Sequence, residues 1–114
     1  MSHFGAIIYI RKKNDEDFNE EEVKALAEIN KKLKEENDLH SSMGVLYSFD
    51  LGTTRNTDGN IRGVNILLSD YWGDTSDYKW HGKVDKKDTT VIARKVRALL
   101  DAKKYSVKGS FEWW

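Results

Sequence analysis

An α+β fold of the ferredoxin-like βαββαβ kind is predicted for this chain, with two helices on one face of a mainly antiparallel sheet. Three observations lead there. Strand-like runs and helix-period runs follow one another in the order β-α-β-β-(β)-α-β, with room for an extra hairpin strand before the second helix. The length of 114 residues suits one domain spanning residues 1–114. A hydrophobic fraction of 39%, with 11% aromatic and four Trp, supplies one core.

The first strand is Phe4 to Ile10, short, aromatic and β-branched. A helix start follows. Asn19 can cap it with Glu22 three residues on, Phe18 and Val23 stand at the positions of a hydrophobic staple, and Glu20, Glu21 and Glu22 suit the first turn. Val23, Leu26 and Leu33 carry the helical spacing to about Glu36, with Asn37 just beyond.

After a loop at Asp38 to Met43, Val45, Tyr47, Phe49 and Leu51 alternate as a half-buried strand. Gly52 to Asn60 is turn-rich and contains Asp58-Gly59. Ile61 to Trp72 reads as one strand, with Val64, Ile66 and Leu68 on one side. Gly73 to Ser76 reads as a turn, and Tyr78, Trp80 and Val84 as a short strand making a hairpin of residues 71–81. Asp88 or Thr89 then caps the second helix, in which Ile92, Val96, Leu99 and Leu100 recur at helical spacing. Val107 to Trp114 closes the sheet. The open sheet face is expected to carry Ile7, Tyr9, Leu46, Ser48, Leu67, Ser69 and Trp114, too apolar a set to stand wholly in water.

Composition removes whole classes of chemistry. There is no Cys, so disulfides, Cys-based zinc or iron–sulfur sites and a thiol nucleophile are excluded. Pro is absent too, where average usage predicts about five or six. No basic leader, long apolar run or membrane span is seen, so a cytoplasmic protein without a membrane partner is expected.

Familiar motifs are present only in fragments. Asn56, Asp58 and Gly59 resemble part of a calcium loop, but Thr54 and Asn65 stand where an acidic residue and the bidentate Glu belong. A hairpin turn explains them better. Arg62-Gly63 begins like the RNP1 stretch of an RNA-recognition motif, yet Val64 and Ile66 replace its stacking aromatics. His40-Ser41-Ser42 offers half of a two-histidine phosphoesterase signature, and neither His3 nor His81 is followed by a matching hydroxyl. The three His are too dispersed for a metal site, and no cofactor is expected.

Two features remain. Residues 71–81 gather two Tyr, two Trp and a His among small polar and acidic neighbours. The surface expected from them is Trp72, Asp74, Tyr78, Trp80 and His81, because aromatics supply contact area at little entropic cost. Charge is also segregated, although 19 basic and 19 acidic residues cancel overall. Asn14 to Asp38 carries a local net of −6 and Lys83 to Lys104 a local net of +5. The reading that follows is a non-enzymatic binding or regulatory module that takes a protein partner or small ligand on its aromatic hairpin. Self-association through the open sheet face or a sheet edge accompanies it. The alternative is a single-stranded nucleic-acid binder using the basic second helix and aromatic stacking. A small hydrolase using His40 or His81 comes last.

Overall fold

The computed structural model describes residues 2–37 and 47–114. Its elements are β1 (Ser2–Lys12), α1 (Glu20–Asn37), β2 (Asp50–Arg55), β3 (Ile61–Leu67), β4 (Tyr71–Gly73), α2 (Thr75–Ala98) and β5 (Tyr105–Trp113). The protein is α+β, with a five-stranded antiparallel sheet curled into a half-barrel. The ferredoxin-like two-helix sandwich expected from the sequence is therefore corrected. The reason lies in β1, whose eleven residues hold β5 on one edge and share the other between β3 and β4.

Alternation along β1 sets the two faces of the sheet. Phe4, Ala6, Ile8 and Ile10 are buried in the core, while Ile7, Tyr9 and Arg11 on the other face are half-exposed. Buried Val64 and Ile66 of β3, Val107 and Phe111 of β5, and Ile92 and Val96 of α2 complete the core beside them. Leu26 and Leu33 bring α1 to the same cluster.

The start of α1 follows its sequence signal. The Glu22 N–H donates to Asn19 Oδ1 at 2.8 Å, and the Asn19 N–H donates to Glu22 Oε1 at 3.1 Å. Burial alone would push the Glu22 carboxyl up. Hydrogen bonds from Lys12, the Asn19 backbone, Tyr105 and Lys104 outweigh it and hold the group at about 2.

The strand expected at Val45 to Leu51 begins instead at Asp50; Val45, Leu46 and the loop before them lie outside the described residues. Phe49 takes a positive φ of 50°, which ends an extended run. Tyr47 and Phe49 are buried, and Asn30 Nδ2 donates to the Phe49 carbonyl at 2.7 Å. Residues 56–60 make the turn into β3: Asn56 Oδ1 accepts from the Asp58 and Asn60 N–H groups, with Gly59 at φ 84°.

Ile61 to Trp72 is not one strand. Ile7 pairs with Leu67, but Phe4 pairs with Tyr71, so the register slips by one residue between β3 and β4. The extra residue is accommodated where the Leu68 and Ser69 N–H groups both reach the Ala6 carbonyl and the Ala6 N–H donates to Ser69 Oγ at 3.0 Å. Gly5 permits this crossing, since a Cβ there would stand 1.8 Å from the Ser69 carbonyl oxygen. A one-residue slip exchanges the faces. It turns Tyr71 towards the core and puts Trp72 outside, opposite His3.

The largest correction concerns residues 71–81. They form β4 and the first turns of α2, not a hairpin, and α2 starts at Thr75 rather than near Asp88 or Thr89. Asp74 caps it: Asp74 Oδ1 accepts from the Ser76 and Asp77 N–H groups at 2.9 and 3.1 Å, and Asp77 Oδ2 accepts from the Asp74 N–H. Tyr78, Gly82, Asp85, Thr89, Ile92 and Val96 then recur every three or four residues as the face turned to the sheet. Among the described residues, no helix is long and apolar enough to cross a membrane.

Candidate functional site

The five residues expected to form one recognition surface are distributed over both sides of the sheet. Trp72 is 58% exposed and meets His3 edge-on at 4.7 Å, with Trp114 stacked on the other side of His3 at 6.3 Å. His3 Nδ1 lies 2.9 Å from Asp70 Oδ1. Asp74 is occupied in the helix cap, whose backbone N–H donors, that of Asp77 foremost, hold its carboxyl below the usual range. Tyr78 packs half-buried against Phe111 at 5.4 Å and Trp113 at 5.1 Å. His81 stacks on Tyr71 at 3.9 Å, and Trp80, 56% exposed, touches only its edge at 5.0 Å.

Behind His81 is a buried polar cluster that the sequence did not suggest. Asp85 is fully buried; the Tyr71 hydroxyl donates to its Oδ2 at 2.9 Å, and its Oδ1 has no hydrogen-bond partner among the described residues. Burial pushes the Asp85 carboxyl up, against the Tyr71 hydrogen bond and the nearby His81. The Tyr47 hydroxyl donates to Asp88 Oδ2 at 3.1 Å, and burial, then the Asp88 and Asp85 charges, raise that hydroxyl. His81 Nδ1 is likewise buried without a partner among the described residues. The His81 ring is half-buried and stacked on Tyr71; His40 lies outside the described residues. Among the described residues, no group of three or more His, Asp or Glu side chains could hold a metal ion.

The open sheet face carries a hollow of about 290 Å³ lined by Ile7, Tyr9, Asp50, Leu51, Gly52, Asn65 and Leu67. Two of its polar side chains, Tyr9 and Asn65, are engaged by neighbours. The Tyr9 hydroxyl donates to Glu112, and burial, then that carboxylate, raise it to about 12. Arg11 lies over the Tyr9 ring at 5.2 Å and donates to Asn65 Oδ1 at 3.2 Å. Ser69, expected on this face, is buried at the β1 crossing instead.

The solvent side of α2 has a different character. Lys79, Lys83, Lys86, Lys87 and Arg94 are exposed and recur at helical spacing along one stripe. Asp77 is held in the cap, Asp85 is buried and Asp88 carries the Tyr47 hydroxyl, so no helix acid answers them. Ion pairs among the described residues join His3, Lys12, Arg62 and Lys104 to acids, and none reaches these five cations. The negative segment noted in the sequence is concentrated before and at the start of α1; farther along, Lys24, Lys31, Lys32 and Lys34 alternate with Glu28 and Glu35.

Two hollows follow the side of this stripe that faces β5. One, of about 510 Å³, is lined by Tyr78, Gly82 and Lys79, Lys83, Lys86 and Lys87. The other, of about 330 Å³, is lined by Lys86, Thr89, Thr90, Gly109, Ser110 and Phe111. They share Lys86, and the second spans the groove between α2 and β5. Trp113, 43% exposed and packed on Tyr78, stands at one end, and Trp80 stands on the far flank of the stripe. Such an arrangement can hold an extended anion beside flat apolar surfaces. The charge imbalance after Lys83 was the sequence signal for it; the role of β5 had none. Comparisons with protein-family models, with curated proteins and with solved structures find no match for this chain.

Proposed function

We propose that this protein is a non-enzymatic binding module for single-stranded nucleic acid, and that α2 is its contact surface. The observation that carries the reading is the row of five exposed cations on one side of α2, none in an ion pair among the described residues, in a chain whose total charge is zero. Placing like charges along one helix face costs stability unless a partner supplies the counter-charge. A phosphate backbone does so, and releases condensed ions as it binds. Exposed Trp80 and Trp113 favour unpaired bases over duplex, because stacking needs a free base face. Recognition through an aromatic hairpin has lost its scaffold, since those residues are divided between β4 and a helix. A cytoplasmic location, as expected from the sequence, gives access to such strands.

The test is fluorescence anisotropy of a labelled oligothymidylate titrated with the protein at several salt concentrations. Phosphate contacts by four or five of these cations predict a log–log salt slope of about −3. Absence of binding at low salt would overturn the reading.

A further inference from the structure

We propose that the bound strand lies in the groove between α2 and β5, its phosphates held by outward backbone N–H groups of β5 at Val107, Gly109 and Phe111 together with Lys86. This inference rests on the nucleic-acid reading and adds the path of the strand. Among the described strands β5 pairs only with β1, so its second edge is open. The direction of its backbone groups follows from the ladder. His3 and Trp114 exchange both backbone hydrogen bonds, at 2.8 and 3.1 Å, so the alternate residues Phe111, Gly109 and Val107 turn their N–H and C=O groups away from β1.

Side chains from α2 have altered that edge. Arg97 Nη2 donates to the Val107 carbonyl at 2.7 Å, and the Tyr78 hydroxyl donates to the Phe111 carbonyl at 3.5 Å. Over Val107 to Phe111 three N–H donors then stand beside one unclaimed carbonyl, that of Gly109, and no hydrogen bond from these donors is found among the described residues. A peptide strand added to this edge would need donors and acceptors in alternation. A row of donors about 6.8 Å apart suits anionic oxygens on a repeating backbone instead. A Cβ at Gly109 would stand 2.7 Å from Thr89 Cγ2, so glycine here lets α2 pack close on β5, and Lys86 lines the hollow that Gly109 borders.

Amide chemical shifts of ¹⁵N-labelled protein, titrated with an oligothymidylate and separately with an oligoglutamate, test the proposal. Expected are large shifts at Val107, Gly109 and Phe111 that saturate with the anisotropy curve. Lys86→Gln should weaken binding about tenfold, the worth of one charge-assisted hydrogen bond, while Lys24→Gln on α1 changes it less than about twofold. Oligothymidylate binding that moves α2 amides but leaves those of β5 unmoved would overturn the strand path and leave the function standing. Equal binding of oligoglutamate with the same β5 shifts would overturn it in favour of an acidic peptide. No binding of oligothymidylate at all would overturn the nucleic-acid reading beneath it.

Discussion

The Tyr71 hydroxyl lies 2.9 Å from a carboxylate oxygen of Asp85, a side chain wholly screened from solvent in the middle of α2. Burial raises this carboxyl, so the folded state holds its proton more tightly than the unfolded chain does. Stability from this group is therefore present at pH below the unfolded value and is lost as pH rises through the folded one. Asp85→Asn should melt higher than the parent at neutral pH, with the gap closing near pH 4. Thermal melts across pH measure it, and an Asn variant that is less stable at neutral pH would contradict the assignment.

Glu22 has the opposite sign. Its carboxyl is held at about 2, so its contribution is present above the unfolded value and disappears as pH falls through that range. Glu22→Gln keeps the helix-capping acceptor but loses the charge that faces Lys12 and Lys104. A loss of about 2 kcal/mol at neutral pH is expected, vanishing by about pH 2. Urea denaturation at the two pH values decides it; a pH-independent cost would show that the charge is not responsible.

Gly5 and Gly52 make a matched pair. A methyl at Gly5 would meet the Ser69 backbone, whereas one at Gly52 would meet nothing within 4 Å. Gly5→Ala should cost about 4 kcal/mol or more and loosen β4 from β1. Gly52→Ala should change stability by less than about 1 kcal/mol. Similar denaturation midpoints for the two variants would remove the account of the β3–β4 crossing.

The reach of the sequence was set by whether a signal is local. Asn19 and Glu22 lie three residues apart and the cap follows from them alone. The start of α2 uses the same device, but with Asp77 in place of the usual Glu or Gln. Gly82, Asp85 and Thr89 then interrupt the apolar stripe on its buried face, while Tyr78 and Trp80 imitate strand alternation. Trp72 was misjudged as a neighbour of Trp80 because the register slip depends on Gly5 and Ser69, 64 residues apart in the chain. The positive charge after Lys83 was legible as composition. Its organisation into a groove with β5 was not, since it depends on Arg97 and Tyr78 reaching carbonyls of a distant strand.

Charge on α2 and stacking should separate experimentally. Trp80→Ala leaves the five cations in place, so it should lower oligothymidylate affinity about tenfold with the salt slope unchanged. Lys83→Glu with Lys87→Glu should weaken binding further and flatten the slope. Anisotropy at several salt concentrations reads both; a Trp80→Ala variant with a flattened slope would contradict the separation.

The most direct test of the central claim is the salt dependence of oligothymidylate binding to the unaltered protein, measured by fluorescence anisotropy. The account predicts binding at low salt that weakens with a log–log slope of about −3. Binding indifferent to salt, or none at low salt, would contradict it.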